Sequence, residues 1–164
     1  MNRLIHLFFI TIGLTSFTVG SAIGQTHHTD HQQVSQLSQA EAQKNLELVV
    51  NFYNEFFNQH NIQAAYKYLD KSYIQHNPYV PDGILPFTDY FAGYFKDNPK
   101  SSARIVRTAV NGDLVFLHVH SQKTPQDKGV AGVDIFRVQN GKIVEHWDVN
   151  QDVPAQAANK NTMF

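Results

Sequence analysis

Residues 129–150, GVAGVDIFRVQNGKIVEHWDVN, alternate apolar and polar side chains on both sides of the dipeptide Asn140-Gly141. Asn-Gly between two alternating runs is the strongest short-range signal for a β-hairpin with a two-residue turn. Such a turn pairs Asp134 with Trp147, and directly opposed residues share one face of a sheet. The hairpin therefore predicts that the carboxylate of Asp134 lies on a largely apolar face, beside the indole of Trp147 and the phenyl ring of Phe136.

The sequence before this hairpin predicts three helices and a second pair of strands. Apolar residues recur at helical spacing from Glu41 onward, and shorter helices are expected over residues 62–69 and 85–95. Residues 103–110 and 114–122 alternate around an Asn-Gly turn, which predicts two further strands. Helices followed by antiparallel strands are typical of an α+β fold in which the helices cover one face of the sheet. A curled sheet of this kind would enclose a conical cavity, the default ligand site.

The composition excludes several classes of protein. The chain has 164 residues, enough for one domain with a sizeable core. Its 13 Lys and Arg balance 14 Asp and Glu without a basic run, which argues against nucleic acid as a partner. The absence of Cys excludes a disulfide framework and a thiol nucleophile. The 12 Phe, 7 Tyr and 1 Trp are enough to line a cavity for a small molecule as well as to fill a core.

Residues 1–24 have the pattern of a secretory signal peptide. Arg3 gives a positive start, residues 4–19 are mostly apolar, and Ala22 and Gly24 supply the small residues of a cleavage site. The alternative is a membrane anchor, because the apolar stretch approaches the lower length limit of a span. Gly, Thr and Ser dilute that stretch, so we expect cleavage, a periplasmic or secreted protein, and no stable membrane span afterwards.

Polar segments flank the predicted domain. Residues 25–41 are expected to form a flexible tail, residues 42–153 the folded domain, and residues 154–164 a C-terminal tail. Three His residues of the first tail could bind a transition metal, although a solvated linker is the simpler interpretation: His27, His28 and His31.

Four short segments carry a resemblance to a known family. They are YIQHNP at residues 73–78, DG at 82–83, VDIFRV at 133–138 and NGKIVEHWD at 140–148. Together they resemble the SnoaL-like group of the NTF2-like superfamily, over roughly residues 42–153. The resemblance implies a cone-shaped barrel, with three N-terminal helices packed on a curved antiparallel sheet. It also implies a small-molecule ligand and a homodimer formed through the open sheet face.

Polyketide cyclases of this group close a ring by intramolecular aldol condensation, without a metal or an organic cofactor. The resemblance implies that Asp134 acts as the base and that His120, on the preceding strand, assists it. His118 is expected beside His120 on the same face. Burial in an apolar cavity disfavours the charged form of a carboxylate and so increases its basicity. The remaining residues expected to contact a ligand are polar or aromatic: His76, Asn77, Tyr53, Phe116, Phe136 and Trp147.

Several of these residues also have an interpretation that does not involve catalysis. Asp134 could be held by a backbone N–H or by an Arg such as Arg104 or Arg107. His118 and His120 form a His-x-His pair that could bind zinc, but the sequence offers no third ligand at a suitable spacing, so no metal is expected.

The alternation of the last strand separates two further polar residues from Asp134. His146 and Asp148 are predicted on the opposite face of the hairpin, at the outer surface or a subunit interface, unless a β-bulge intervenes.

The sequence leads to two main hypotheses for the function, which belong to different classes of protein. The first is an exported enzyme that removes a proton next to a carbonyl group, in an aldol-type condensation or an isomerisation. The second is a non-catalytic periplasmic binder of a small apolar or aromatic molecule. A protein-interaction module that uses the open sheet face is a third and weaker interpretation, because such a fold hosts enzymes and binders alike.

Overall fold

The computed structural model describes residues 38–164. The signal peptide expected over residues 1–24 and most of the tail expected over residues 25–41 lie outside the described residues. Among the helices of residues 38–164, none combines the length and the apolar character needed to cross a membrane.

The described residues form three α-helices, which precede or interrupt the sheet. Helix α1 covers Gln39–Tyr53, α2 covers Gln63–Tyr68 and α3 covers Ile84–Asp97. A π-helical turn, Asn54–Asn58, extends α1. Helix α1 begins with a capping box, in which the Ser38 side chain accepts from the Glu41 N–H and the Glu41 carboxylate accepts from the Ser38 N–H. This cap satisfies backbone donors of the first turn and fixes where the helix begins.

Five strands form one sheet. They are β1 (Leu69–Gln75), β2 (Ser102–Asn111), β3 (Leu114–Gln122), β4 (Val130–Gln139) and β5 (Lys142–Asp152), in the order β1-β5-β4-β3-β2. Strands β2 to β5 are antiparallel neighbours, as predicted. The expectation of a purely antiparallel sheet is wrong, because β1 pairs with β5 in parallel. The helix predicted over residues 62–69 ends at Leu69, which is the first residue of β1.

The helices cover one face of this sheet, which we call the inner face. Burial alternates along β3, where Val115, Leu117 and Val119 are buried and the residues between them are half-exposed. In the core, these residues are joined by buried aromatic side chains from the helices. The phenyl rings stack or meet edge to face: Phe52, Phe56, Phe87 and Phe95. The fold is therefore the predicted one, three helices packed on a curved sheet. Its other face, the outer face, is not covered by the helices.

Candidate functional site

A β-bulge in the β4–β5 hairpin builds the site. The tight turn pairs Val138 with Ile143, as predicted, but Arg137 pairs with Glu145, so Val144 has no residue opposite it. A bulge of this kind inserts one residue into one strand and changes the phase of side chains beyond it.

As a result, His146 lies opposite Phe136 and Asp148 lies opposite Asp134. Directly opposed residues share a face, so all four side chains belong to the inner face. The expectation that His146 and Asp148 lie on the outer face is wrong, because the bulge moves both of them inward.

The same bulge removes Trp147 from the site. Trp147 pairs with Ile135 on the outer face. The His76 ring stacks on the indole at a centroid distance of 4.3 Å, and His76 Nε2 lies 3.1 Å from Glu145 Oε2. The prediction that Trp147 lies beside Asp134 is wrong, and His76 is likewise separated from the cavity.

The strand histidines also lie on the outer face. Leu117 pairs with Asp134, so His118 and His120, which pair with Val133 and Ala131, point the other way. The expectation that these two histidines share the face of Asp134 is therefore wrong. This register could not be predicted from the sequence, because the loop between β3 and β4 leaves the pairing of the two strands undetermined.

Local partners hold these residues on the outer face. His120 Nε2 contacts the carbonyl of Lys128 at 2.8 Å, and its ring stacks on Phe164. His118 Nδ1 accepts from Arg107. Phe116 pairs with Ile135 and belongs to the same face.

Two side chains hold the carboxylate of Asp134. The Tyr53 hydroxyl donates to Oδ2 at 3.0 Å, and His146 Nε2 lies 3.0 Å from Oδ1. The side chains of Asp134 and His146 are 13% and 9% exposed. The Phe136 ring stacks on the imidazole at 4.6 Å. Tyr53 and Phe136, both expected at the site, are therefore in it, whereas Arg104 and Arg107 do not hold Asp134.

The parallel strand β1 adds the residues behind His146. Gln75 is the register partner of His146, and its Oε1 lies 3.0 Å from His146 Nδ1. Asn77, which was expected to contact a ligand, instead donates its amide to both oxygens of Asp148, at 2.8 and 3.0 Å. Asn150 donates a further hydrogen bond to Asp148 at 3.2 Å. Gln75, His146 and Asp148 were the residues missed by the sequence analysis.

One atom each of Asp134, His146 and Asp148 could face a common metal ion, since these ligand atoms lie within 4.8 Å of one another. Two carboxylates and an imidazole are acceptable ligands for a divalent metal. The same atoms already have partners within the protein, because Tyr53 and Asn77 donate to the carboxylates and His146 bonds to Asp134. The hydrogen bonds account for the cluster without an ion.

A cavity of about 450 Å³ opens onto Asp134 between the helices and the inner face. One wall is aromatic: Tyr53, Phe57, Tyr90, Phe91, Tyr94 and Phe95. The rest of the lining includes three carboxylates, those of Asp134, Asp148 and Asp152. The lining within residues 38–164 includes no Lys or Arg. The cavity thus combines apolar stacking surface with negative charge.

Two buried phenols beside the carboxylates remain protonated. Burial, and then the charge of Asp134, raise the pKa of Tyr53 well above its usual value. Burial also raises the pKa of Tyr73, with smaller contributions from Asp134 and Asp148. Both phenols are therefore uncharged: the Tyr53 hydroxyl donates to Asp134, and the Tyr73 hydroxyl accepts from Gln75. Tyr53 also lines the cavity.

Comparisons with known proteins agree with this fold. The family model for SnoaL-like polyketide cyclase matches residues 47–159. No curated protein matches the sequence significantly.

Among solved structures, a candidate polyketide cyclase from Bacillus cereus is 24% identical over 70% of this chain and 78% of its own, with a TM-score of 0.60. Bal32a, from a soil-derived mobile gene cassette, is 19% identical over 68% of this chain and 92% of its own, with a TM-score of 0.59. These likenesses concern the fold.

Proposed function

Because the chain belongs to the SnoaL-like polyketide cyclase family, we propose that it removes a proton next to the carbonyl group of a small molecule. An aldol-type condensation or an isomerisation would follow. The observation that supports this proposal best is the position of Asp134: its carboxylate lines the cavity and is held from behind by His146.

In this reaction Asp134 is the base. An oxygen of its carboxylate takes a proton from the carbon next to the carbonyl group, and the C–H electron pair forms an enolate. In a condensation, the enolate carbon attacks a second carbonyl carbon of the same molecule, and the resulting alkoxide recovers the proton from Asp134. In an isomerisation, Asp134 returns the proton to a different carbon. The proton balance closes in both cases, without an oxidant or a reductant.

Tyr53 is the group best placed to stabilise the negative oxygen. Tyr53 lines the cavity, and its raised pKa keeps the hydroxyl protonated. The one hydrogen of this hydroxyl bonds Asp134 before the reaction, and it turns to the negative oxygen once Asp134 has taken up its proton. A preorganised donor directed at a developing oxyanion contributes strongly to the rate. Tyr53 and the buried His146 together have the assisting role that was expected of His120. Tyr53 faces the ligand, and His146 supports the base.

The lining of the cavity defines the ligand class. Aromatic rings offer stacking and cation–π surface, whereas three carboxylates without a Lys or Arg repel an anion. We therefore expect a cyclic or aromatic carbonyl compound that is neutral or positively charged.

Proton exchange on a simple ketone tests the proposed function. In deuterium oxide, the protein should accelerate loss of the methyl proton signal of an aromatic methyl ketone above the uncatalysed rate. Asp134→Asn should remove this acceleration while the ligand still binds, and Asp89→Asn, on the exposed surface of α3, is the matched control. Full exchange activity in Asp134→Asn would contradict the role of Asp134.

The second candidate function is non-catalytic binding of a small apolar or aromatic molecule. The aromatic wall of the cavity favours it. A binder would retain its ligand in both Asp variants and exchange no ketone. Tight retention of a ligand without exchange on any ketone would therefore support this second function.

We also propose that the protein is exported and forms a homodimer. Export rests on the pattern of residues 1–24, and N-terminal sequencing of the protein from its host tests it, with Gln25 expected first. Dimerisation would use the outer face, where Val133 and Val149 are exposed.

A further inference from the structure

The cavity extends along the inner face from Asp134 toward the end of β5. Asp134 pairs with Asp148, and four residues further along each strand Val130 pairs with Asp152. Residues two apart on a strand share a face, and an antiparallel strand rises about 3.4 Å per residue, so the two pairs are roughly 13 Å apart. Asp152 therefore lines the same cavity as Asp134 but far from it.

The C-terminal half of α3 lies at the same end of the sheet as Asp152. Helix α3 ends shortly before β2 begins, and the first residues of β2 pair with the end of β3, which pairs with Val130. Burial, and then the neighbouring Tyr90 and the charge of Asp127, raise the pKa of Tyr94. Asp127 belongs to the loop that leads into β4. Tyr94 is therefore an uncharged phenol near the start of β4 and the end of β5.

Two tyrosines of α3 form an aromatic surface at this end of the cavity. The rings of Tyr90 and Tyr94, one helical turn apart, are nearly parallel, with centroids 6.4 Å apart and an interplanar angle of 16°. Both line the cavity, and Tyr90 is 59% exposed, so the pair lies where the cavity opens to solvent. Aromatic faces attract cations electrostatically, and organic ammonium groups are the ligands that they recognise best.

The carboxylate of Asp152 has no counter-ion in the described part of the chain. Its side chain forms no ion pair within residues 38–164. Lys123 and Lys128 share a neighbouring cavity with it, but Lys128 donates its ammonium hydrogens to two backbone carbonyls and Lys123 lies beside Asp127. A free carboxylate close to two aromatic faces favours a positively charged ligand group.

We propose that Asp152, Tyr90 and Tyr94 form a subsite for an organic ammonium group. The ligand is then a two-ended molecule, whose carbonyl group reaches Asp134 while its cation stays at the mouth of the cavity, roughly 13 Å away. The cavity of about 450 Å³ has room for an aromatic spacer between the two ends. The carbonyl end rests on the proposed function, whereas the binding of the cation does not.

Binding of a cation that has no carbonyl group tests the subsite first. The probe is phenyltrimethylammonium, and tert-butylbenzene is its uncharged control of the same shape. In NMR of the full chain, the N-methyl protons should show nuclear Overhauser contacts with the rings of Tyr90 and Tyr94, assigned by their loss in Tyr90→Leu and Tyr94→Leu. Absence of binding, or contacts with the ring of Tyr53 instead, would overturn the proposal.

Calorimetry with the same probe measures the contribution of each side chain. Asp152→Asn should weaken binding of the cation about threefold, the scale of an exposed charge pair, and leave tert-butylbenzene unaffected. Tyr90→Leu should weaken the cation by a similar factor. Asp89→Asn and Tyr79→Leu, at exposed positions outside the cavity lining, are the matched controls. Equal affinity for the cation in Asp152→Asn and the unmodified protein would overturn the role of Asp152.

Ketone exchange then tests the two-ended ligand. A methyl ketone joined to trimethylammonium by two phenylene rings should have a lower KM than the one-ring compound, because the longer molecule comes closer to spanning both ends. Asp152→Asn should raise the KM of the long cation about threefold, but not that of the uncharged ketone of the same length.

The two sets of measurements can fail separately. If no ketone exchanges even in the unmodified protein, the proposed function fails, while binding of phenyltrimethylammonium still decides the subsite. Equal KM values for the one-ring and two-ring cations would overturn the two-ended ligand.

Discussion

The imidazole Nε2 of His146 lies 3.0 Å from Oδ1 of Asp134 across the β4–β5 pair. The contact depends on the unpaired Val144, which changes the phase of β5 between the turn and His146. Because both side chains are nearly buried, the pair is a fixed unit at the back of the cavity. Its partners, Tyr53 and Gln75, come from α1 and β1. Three separate parts of the chain must therefore pack correctly before the unit exists.

Replacement of Tyr53 by Phe should reduce ketone exchange by about a hundredfold, the order of magnitude reported for removal of one oxyanion donor. The ring and its packing against Phe57 and Phe136 are preserved in this variant. Thermal unfolding should therefore change little, and Asp134 should lose one hydrogen bond. Exchange is measured by proton NMR, with Tyr66→Phe, on the exposed part of α2, as the control. Equal losses in both variants would show that Tyr53 has no special role.

The charge of the ligand should control its affinity. Three para-substituted methyl ketones differ mainly in charge: acetylphenyltrimethylammonium, tert-butylacetophenone and acetylbenzoate. Calorimetry should find the cation bound about tenfold more tightly than the neutral ketone, since cation–π contacts and nearby carboxylates together amount to roughly 1–2 kcal/mol. The carboxylate should bind most weakly.

Asp152→Asn removes one carboxylate from the cavity wall without touching the hydrogen bonds of Asp134. This variant should reduce the difference in binding affinity between the cationic and the anionic ketone. If the anion binds as well as the cation in the unmodified protein, the expected ligand class is wrong.

A charge on the outer face should prevent dimerisation. Val149 is 69% exposed and pairs with Val133 on that face. Val149→Glu would bury a carboxylate in an apolar interface, which is strongly unfavourable. Light scattering should find a dimer for the unmodified protein and a monomer for this variant. Leu85→Glu, at a 62% exposed position on α3, should remain dimeric. A monomeric unmodified protein would contradict the proposed homodimer.

Loss of the Phe56 ring should destabilise the fold severely. Phe56 is 0% exposed and its ring contacts Phe52, Phe87 and Phe95. Phe56→Ala leaves a cavity, and we expect a loss of about 3–5 kcal/mol in the free energy of unfolding. Urea denaturation measures it. Tyr79→Ala, at a 91% exposed position, should change the same free energy by less than about 0.5 kcal/mol.

Most of the fold could be predicted from local sequence patterns. The Asn140-Gly141 turn forms with positive φ at both residues, 51° and 71°, as an Asn-Gly hairpin requires. The helical stripe of α1 and the alternation of β3 and β4 also correctly identified their elements. Tyr53 and Phe136 were placed at the site because each belongs to an element whose buried side was clear from its own residues.

The sequence by itself determined the types and order of the three helices and of strands β2 to β5, the tight turn and the family resemblance. Turn preference and side-chain periodicity arise within a few neighbouring residues, so they can be recognised without tertiary contacts. Only the tertiary structure decided which face of β3 meets the helices, where the bulge lies and which strand pairs with β5. These depend on burial against distant segments, and a shift of one residue moves a whole set of side chains to the other face. For that reason Asp134 was identified from the sequence, whereas His146 and Gln75 were found only in the folded chain.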